Sequence, residues 1–203
     1  MADAAESRRR DLDRLVTFVD AIVAIAITLL VLPLVELTPD LGDEPVWTLL
    51  RHHEGQFGAF VLSFVVIARL WFVEHRSMRN VVVAPARLDV LLMIWTGTIV
   101  FLPFPTALLP SAGSQSVTKL LYIGTITVNV ALVAVMDLLV RRTAGATGDL
   151  PPPDVATAVA NVLLLVTALI LALVLPGASY YTLLLLAVDQ PVVRLWRRAT
   201  RSA

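Results

Sequence analysis

The 203-residue chain contains no cysteine. Disulfides, thiolate nucleophiles and cysteine-ligated metals are therefore excluded. Charge is scarce as well: Asp, Glu, Lys and Arg make up 16% of the residues, and the formal net charge is zero. A soluble domain carries about 25% charged residues, so this chain has too little charge to coat a water-facing surface. The balance of sign gives no reason to expect a nucleic acid partner. Arg8-Arg9-Arg10 sits beside an apolar span, where a basic cluster acts as a topology signal. Only three histidines occur. His52 and His53 are neighbours that cannot converge on one ion from a helix, and no third ligand follows at a suitable spacing. His52-His53-Glu54 thus reads as the edge of a water-facing loop. Nucleophile–base pairs, phosphate-cradling glycine loops and metal-hydrolase motifs are missing. Neither an enzymatic activity nor a cofactor is expected.

What the chain has in excess is apolar surface. Hydrophobic residues reach 58%, against about 45–50% in soluble domains, and the mean hydropathy is +0.81. Six apolar segments can be drawn, at 15–37, 55–73, 88–110, 117–140, 155–175 and 179–195. Each is near the ~20 residues a helix needs to cross a ~30 Å hydrocarbon layer. No ten-residue alternating pattern is present, which argues against a transmembrane barrel. The expected fold is an all-α polytopic membrane protein with six transmembrane helices in one domain, 1–203. Residues 1–13, 141–154 and 196–203 are its polar flanking segments. The first span is too long for a signal peptide and lacks a small-residue cleavage site.

The breaks between spans have physical causes. Thr38-Pro39-Asp40-Leu41-Gly42-Asp43-Glu44-Pro45 is polar and rich in helix breakers. Arg141-Arg142-Thr143 begins a second polar stretch that ends in Pro151-Pro152-Pro153-Asp154. Pro176-Gly177 is a tight turn. Pro103 and Pro105 should end or distort the third helix.

Orientation follows from the basic residues. With the N-terminus in the cytosol, 14 of the 16 Lys and Arg residues fall on the cytosolic side, leaving only Arg51 and Lys119 outside. The reverse topology inverts this ratio, so both termini are predicted cytosolic. The first outer loop is acidic through Glu36, Asp40, Asp43 and Glu44, which would concentrate cations locally. A simply solvated loop is the equal alternative.

In the first span Ala21-Ile22-Val23-Ala24-Ile25-Ala26-Ile27-Thr28-Leu29-Leu30-Val31-Leu32 follows Asp20 without a break. An acidic residue opening an apolar span is expensive in lipid and marks a functional or network position. At about 100° per residue, Leu29 lies about +40° and Leu32 about −20° from Ile25. Thr28 flanks this stripe at about −60°, and Asp20 lies about 140° away. Such a stripe either faces lipid and neighbouring helices or lines an axis as a constriction that gates by dewetting. Spacing leaves both open.

Three motifs add to this. Arg14, Phe18 and Asp20 form an Arg-x-x-x-Phe-x-Asp opening. The second span carries Leu62-Ser63-Phe64-Val65-Val66-Ile67-Ala68-Arg69-Leu70-Trp71, then His75-Arg76. The third carries Phe101-Leu102-Pro103-Phe104-Pro105-Thr106-Ala107-Leu108-Leu109. In this order they resemble the transmembrane protein 175 family of potassium channels in its bacterial, single-repeat form. Val19 departs from the family pattern, which has Ser there; Val can neither donate nor accept a side-chain hydrogen bond.

The resemblance implies a homotetramer whose first helices surround a central pore. It places the pore constriction at Ile25, with further apolar layers at Leu29 and Leu32, and the hydroxyl linked to potassium preference at Thr28. It also implies a buried packing network of Arg14, Phe18, Asp20, Trp71 and His75. A filter of the Thr-Val-Gly-Tyr-Gly type is missing from the sequence, so modest selectivity is expected.

Other polar residues read as structural. Glu74-His75-Arg76 suggests a salt-bridged interface, with a pH sensor as the alternative. Asp89 is placed to cap the third helix. Asp137 and Arg141 form an i,i+4 pair, and Asp189 lies near Arg194 at the same membrane face. Gly124 and Thr125 suit close helix packing. Trp47, Trp71 and Trp196 are candidate interface anchors, and Trp95 is deeper.

The functional expectation is a potassium-permeable cation channel, a passive leak in a bacterial inner (plasma) membrane. Its partners are potassium ions, the lipid bilayer and further copies of itself. A proton- or cation-coupled secondary transporter is the alternative, although no repeat links the two halves. A non-conducting membrane scaffold is the third reading.

Overall fold

The computed structural model describes residues 2–42, 45–79, 81, 85 and 87–145. The expected fifth and sixth spans, the turn at Pro176-Gly177, the 196–203 segment, and Asp189 and Trp196 lie outside the described residues, as does all of the 141–154 loop past residue 145. Among the described residues the regular structure is helical. In chain order it comprises α1 (Ala2–Leu29), α2 (Leu32–Val35), a 3-10 turn (Thr38–Leu41), α3 (Val46–His52), α4 (Glu54–Arg79), α5 (Leu88–Phe101), α6 (Pro103–Ala112) and α7 (Ser116–Gly145). Four stretches are long and apolar enough to cross a membrane: Glu6–Val35, Glu54–Met78, Leu88–Ala112 and Ser116–Thr143. They coincide with the first four expected spans.

Each spanning helix buries one seam of residues mostly three or four apart. Along the first span it is Val19, Val23, Ala26 and Leu30; on α4, Ala59, Ser63, Ile67, Leu70, Glu74 and Met78. On α5 it is Leu88, Leu92, Trp95 and Ile99, continued by Leu102 just past its end; on α7, Tyr122, Ile126, Asn129, Val133, Met136 and Val140. Alternating steps of three and four keep a narrow stripe facing the neighbouring helix. α5 packs against both α1 and α7, α4 packs against α6 and α7, and α1 also meets α4. The outer faces carry large exposed apolar side chains, among them Phe64, Phe72, Val90, Ile94, Phe101 and Val128. That inversion of the soluble pattern suits a hydrocarbon solvent.

Two prolines set the breaks. α5 stops at Phe101, and α6 restarts with Pro103 in its first turn. Pro103 lacks the amide that would continue the ladder, so Leu102 bonds back only three residues, to Ile99 O at 3.2 Å. The first span also breaks, which its uniform hydropathy did not suggest. Leu30 and Val31 bond to Ile27 O and Thr28 O, each at 3.2 Å and three residues back. Pro33 is the cause: its ring crowds the carbonyl four residues earlier, that of Leu29, where α1 ends.

Buried hydroxyl and amide groups tie the helices together. Ser63 Oγ lies 2.9 Å from Tyr122 Oη and 2.8 Å from Thr106 Oγ1, which joins α4, α7 and α6. Asn129 Nδ2 donates to Thr98 Oγ1 at 2.6 Å between α7 and α5. Interhelical bonds of this kind each contribute about 0.6–2 kcal/mol in a membrane. Gly124, by contrast, is not a close-packing site. A Cβ there would meet only Leu120 Cδ1, at 3.8 Å.

Candidate functional site

α1 has two different faces. The seam toward α4 and α5 holds Val23, Ala26 and Leu30 at 1–2% exposure, whereas Ile25, Leu29 and Leu32 are 58%, 44% and 53% exposed. The reason is helical phase. Ile25 lies about 200° from Val23, so packing one side of α1 leaves the other open. Leu32 belongs to α2, beyond the break at Leu30 and Val31, and still falls on the open side. Phe18 extends the same apolar strip at 54% exposure.

Thr28 lies on this open face. Its hydroxyl donates to the carbonyl of Ile25 at 2.7 Å, back along the helix. The proton is thereby engaged. The oxygen lone pairs are what Thr28 has left to present to its surroundings.

The packing set is split. Trp71 Nε1 donates to Asp20 Oδ1 at 2.7 Å, a bond from α4 to α1. The Trp71 ring also lies against His75, with centroids 5.3 Å apart and planes inclined by 35°. Asp20, Trp71 and His75 are therefore brought together, and all three are half-buried. Arg14 and Phe18 are not brought in; both lie on the exposed side of α1. Val19, in place of the family serine, is fully buried in the apolar seam.

Glu74 is the residue that sequence reasoning misjudged. Among the described residues it is not part of the salt-bridged interface expected for Glu74-His75-Arg76. Its side chain is fully buried, and neither carboxylate oxygen has a hydrogen-bond partner among the described residues. The signal was available in the register: Leu70, Glu74 and Met78 share one four-residue row that points into the bundle. His75 Nδ1 is likewise buried without a partner.

Two ion pairs are formed by the remaining polar residues. Arg8 Nη1 pairs with Asp89 Oδ2 at 2.9 Å, and Arg8 Nη2 donates to Pro85 O at 3.3 Å. Asp89 thus binds the start of α1 instead of capping α5, whose N-cap residue is Arg87 with no side-chain cap bond. Arg141 pairs with Asp137 at 2.9 Å, as its spacing predicts. His52 and Glu54 are exposed, and among the described residues no cluster of His, Asp and Glu has the geometry of a metal site. Trp47 is 66% exposed, while Trp95 is wholly buried.

Comparison with known proteins gives two findings. The family model for the endosomal/lysosomal potassium channel TMEM175 matches residues 14–103. The crystal structure of a lysosomal potassium-selective channel TMEM175 homologue from Chamaesiphon minutus has the same fold, with a TM-score of 0.71 and 22% sequence identity. The alignment covers 90% of this chain and 97% of that one. No curated protein matches the chain. Residues 14–103 of this multi-pass membrane chain thus carry the sequence pattern of the TMEM175 potassium channel family, and its fold is that of a bacterial TMEM175 homologue.

Proposed function

We propose that the chain is a potassium-permeable cation channel, a passive leak whose pore is formed by four copies of α1 around a shared axis. The observation that carries this reading is the open apolar strip on α1, directly opposite the seam that packs the helix into its own subunit. Lipid has no need of one such strip more than another. In a family of potassium channels, the helix that holds the family's opening motif is the natural pore lining.

In the assembled pore, Ile25, Leu29 and Leu32 form stacked apolar rings, and Ile25 is the constriction. Branched apolar side chains around a narrow axis exclude water and hold the pore shut until the helices move apart. Thr28 lies beside these rings, and its free lone pairs can replace part of an ion's hydration shell. With no carbonyl filter in the sequence, selectivity for potassium over sodium is modest. Asp20, Trp71 and His75 lie off the ion path and set the angle of α1 against α4. Both termini face the cytosol of a bacterium, and the protein sits in the inner membrane. The end of the bundle that carries Arg8, Arg76 and Arg141 is the cytosolic one.

Purified protein in liposomes under a potassium gradient tests the reading. A channel gives a voltage fixed by the ion gradients. A carrier saturates and needs a coupling ion, and a scaffold passes nothing. Ile25→Asn, which wets the constriction, should raise the flux. Unchanged or abolished flux in a normally assembled Ile25→Asn protein removes Ile25 from the pore.

A further inference from the structure

Glu74 has no role in the pore described above, and its surroundings are unusual for a carboxylate. It lies on the α4 seam between Leu70 and Met78, wholly shielded from solvent. Neither of its oxygens meets a donor among the described residues. Asp20 on α1 accepts the Trp71 indole N–H at 2.7 Å. A buried carboxylate that meets no donor is unfavourable as an ion. Inside a membrane protein, an unpaired ionisable group of this kind is a functional position by default.

Among the described residues, no side chain of the elements packed against α4 donates to either Glu74 oxygen. α1 presents Asp20, a like charge across the helix contact. The Arg8–Arg14 cluster of α1 lies more than a turn from Asp20 along the helix. On α4 itself His75 adjoins Glu74, and Arg69 and Arg76 have interactions of their own. α7 offers Asp137, which is held by Arg141 at 2.9 Å and approached by Ser77 at 3.4 Å. α2 and α6 contain no titratable side chain. The titratable groups of α3, Arg51 and His52, sit at the opposite end of α4.

We propose that Glu74 is a proton-binding site built into the α1–α4 contact, and that its proton governs how closely α1 packs on α4. With the proton bound, a neutral acid lies in the seam and the helices close on it. With the proton released to solvent, two carboxylates, Glu74 and Asp20, share one low-dielectric contact and push α1 away from α4. The second half rests on the pore reading, because α1 carries Ile25, Leu29 and the Asp20 anchor on one rigid helix. The ligand is a proton alone, and no redox or group-transfer step is involved.

Infrared difference spectroscopy of the full-length protein in liposomes, stepped in pH, tests the proton site without any need for conduction. A protonated-carboxyl C=O band should be present at neutral pH, disappear on alkalinisation, and be missing from Glu74→Gln. Glu74→Met, which keeps the volume and removes the acid, should give the same missing band. Absence of the band in the unmodified protein, or its persistence in whichever variant folds, overturns the proposal. Potassium flux recorded in the same liposomes tests the coupling. Flux should change severalfold on alkalinisation in the unmodified protein and become insensitive to pH in Glu74→Gln. A Glu74 band with pH-independent flux overturns the coupling. No flux at any pH in the unmodified protein defeats the pore reading, while the band still decides the proton site.

Discussion

Trp71 donates its indole N–H to the carboxylate of Asp20 at 2.7 Å, and this bond ties α1 to α4 behind the open apolar strip of α1. The carboxylate therefore faces a neighbouring helix within the chain, about 140° around α1 from Ile25. An acidic residue at the head of an apolar span is thus placed for helix positioning.

Breaking that bond should loosen α1 measurably. A hydrogen bond to a charged group contributes about 1.5–3 kcal/mol, and half-burial of both partners puts this one near the lower end. A double-mutant cycle of Asp20→Asn and Trp71→Phe, read by thermal unfolding in detergent, should give a coupling energy of about 1–2 kcal/mol. A coupling near zero would show that the contact contributes nothing to the fold.

Val19→Ser restores the residue of the family pattern and should nonetheless destabilise this protein. Val19 is fully buried in the α1 seam. The substitution removes apolar contact and places a hydroxyl whose available partner is the carbonyl one turn back. The expected cost is about 1–2 kcal/mol, read as a lower Tm in detergent. A gain in stability would mean that a polar partner for this position exists nearby.

The first four spans were legible in the sequence because hydrocarbon imposes a length and a composition that nothing else in the chain imitates. The kink at Pro103 was legible for a similar reason, since a missing amide has one local effect. Register was harder to read. Where every face of a helix is apolar, hydropathy gives no phase, so the open position of Ile25 and the buried position of Val23 emerged only from the packed bundle. Glu74 was misjudged on the same ground: beside His75 and Arg76 it looks like a polar helix end, and only its row with Leu70 and Met78 turns it inward. The end of α1 at Leu29 was overlooked because Pro33 acts four residues upstream of itself. Asp89 was assigned to its own helix because its partner, Arg8, is distant in sequence.

The Arg8–Asp89 pair should matter little to stability. Its side chains are 34% and 37% exposed, and pairs this open to solvent contribute at most about 1 kcal/mol. Arg8→Ala and Asp89→Ala should each lower stability by less than that at low salt, and the difference should vanish at high salt. The charge-swapped double variant, Arg8→Asp with Asp89→Arg, should recover most of the loss in an unfolding titration. A large, salt-independent loss would point to a packing role for the Arg8 stem.

The central claim is that the open strip of α1 lines the ion path, and the chain's lack of cysteine makes it directly testable. In Ile25→Cys the introduced thiol is the only one in the protein. Potassium flux into liposomes is measured before and after a bulky thiol reagent, with Met93→Cys, on an exposed face of α5, as the control. The account predicts that modification at position 25 abolishes flux while modification at position 93 leaves it unchanged. Undiminished flux through fully modified Ile25→Cys protein contradicts it.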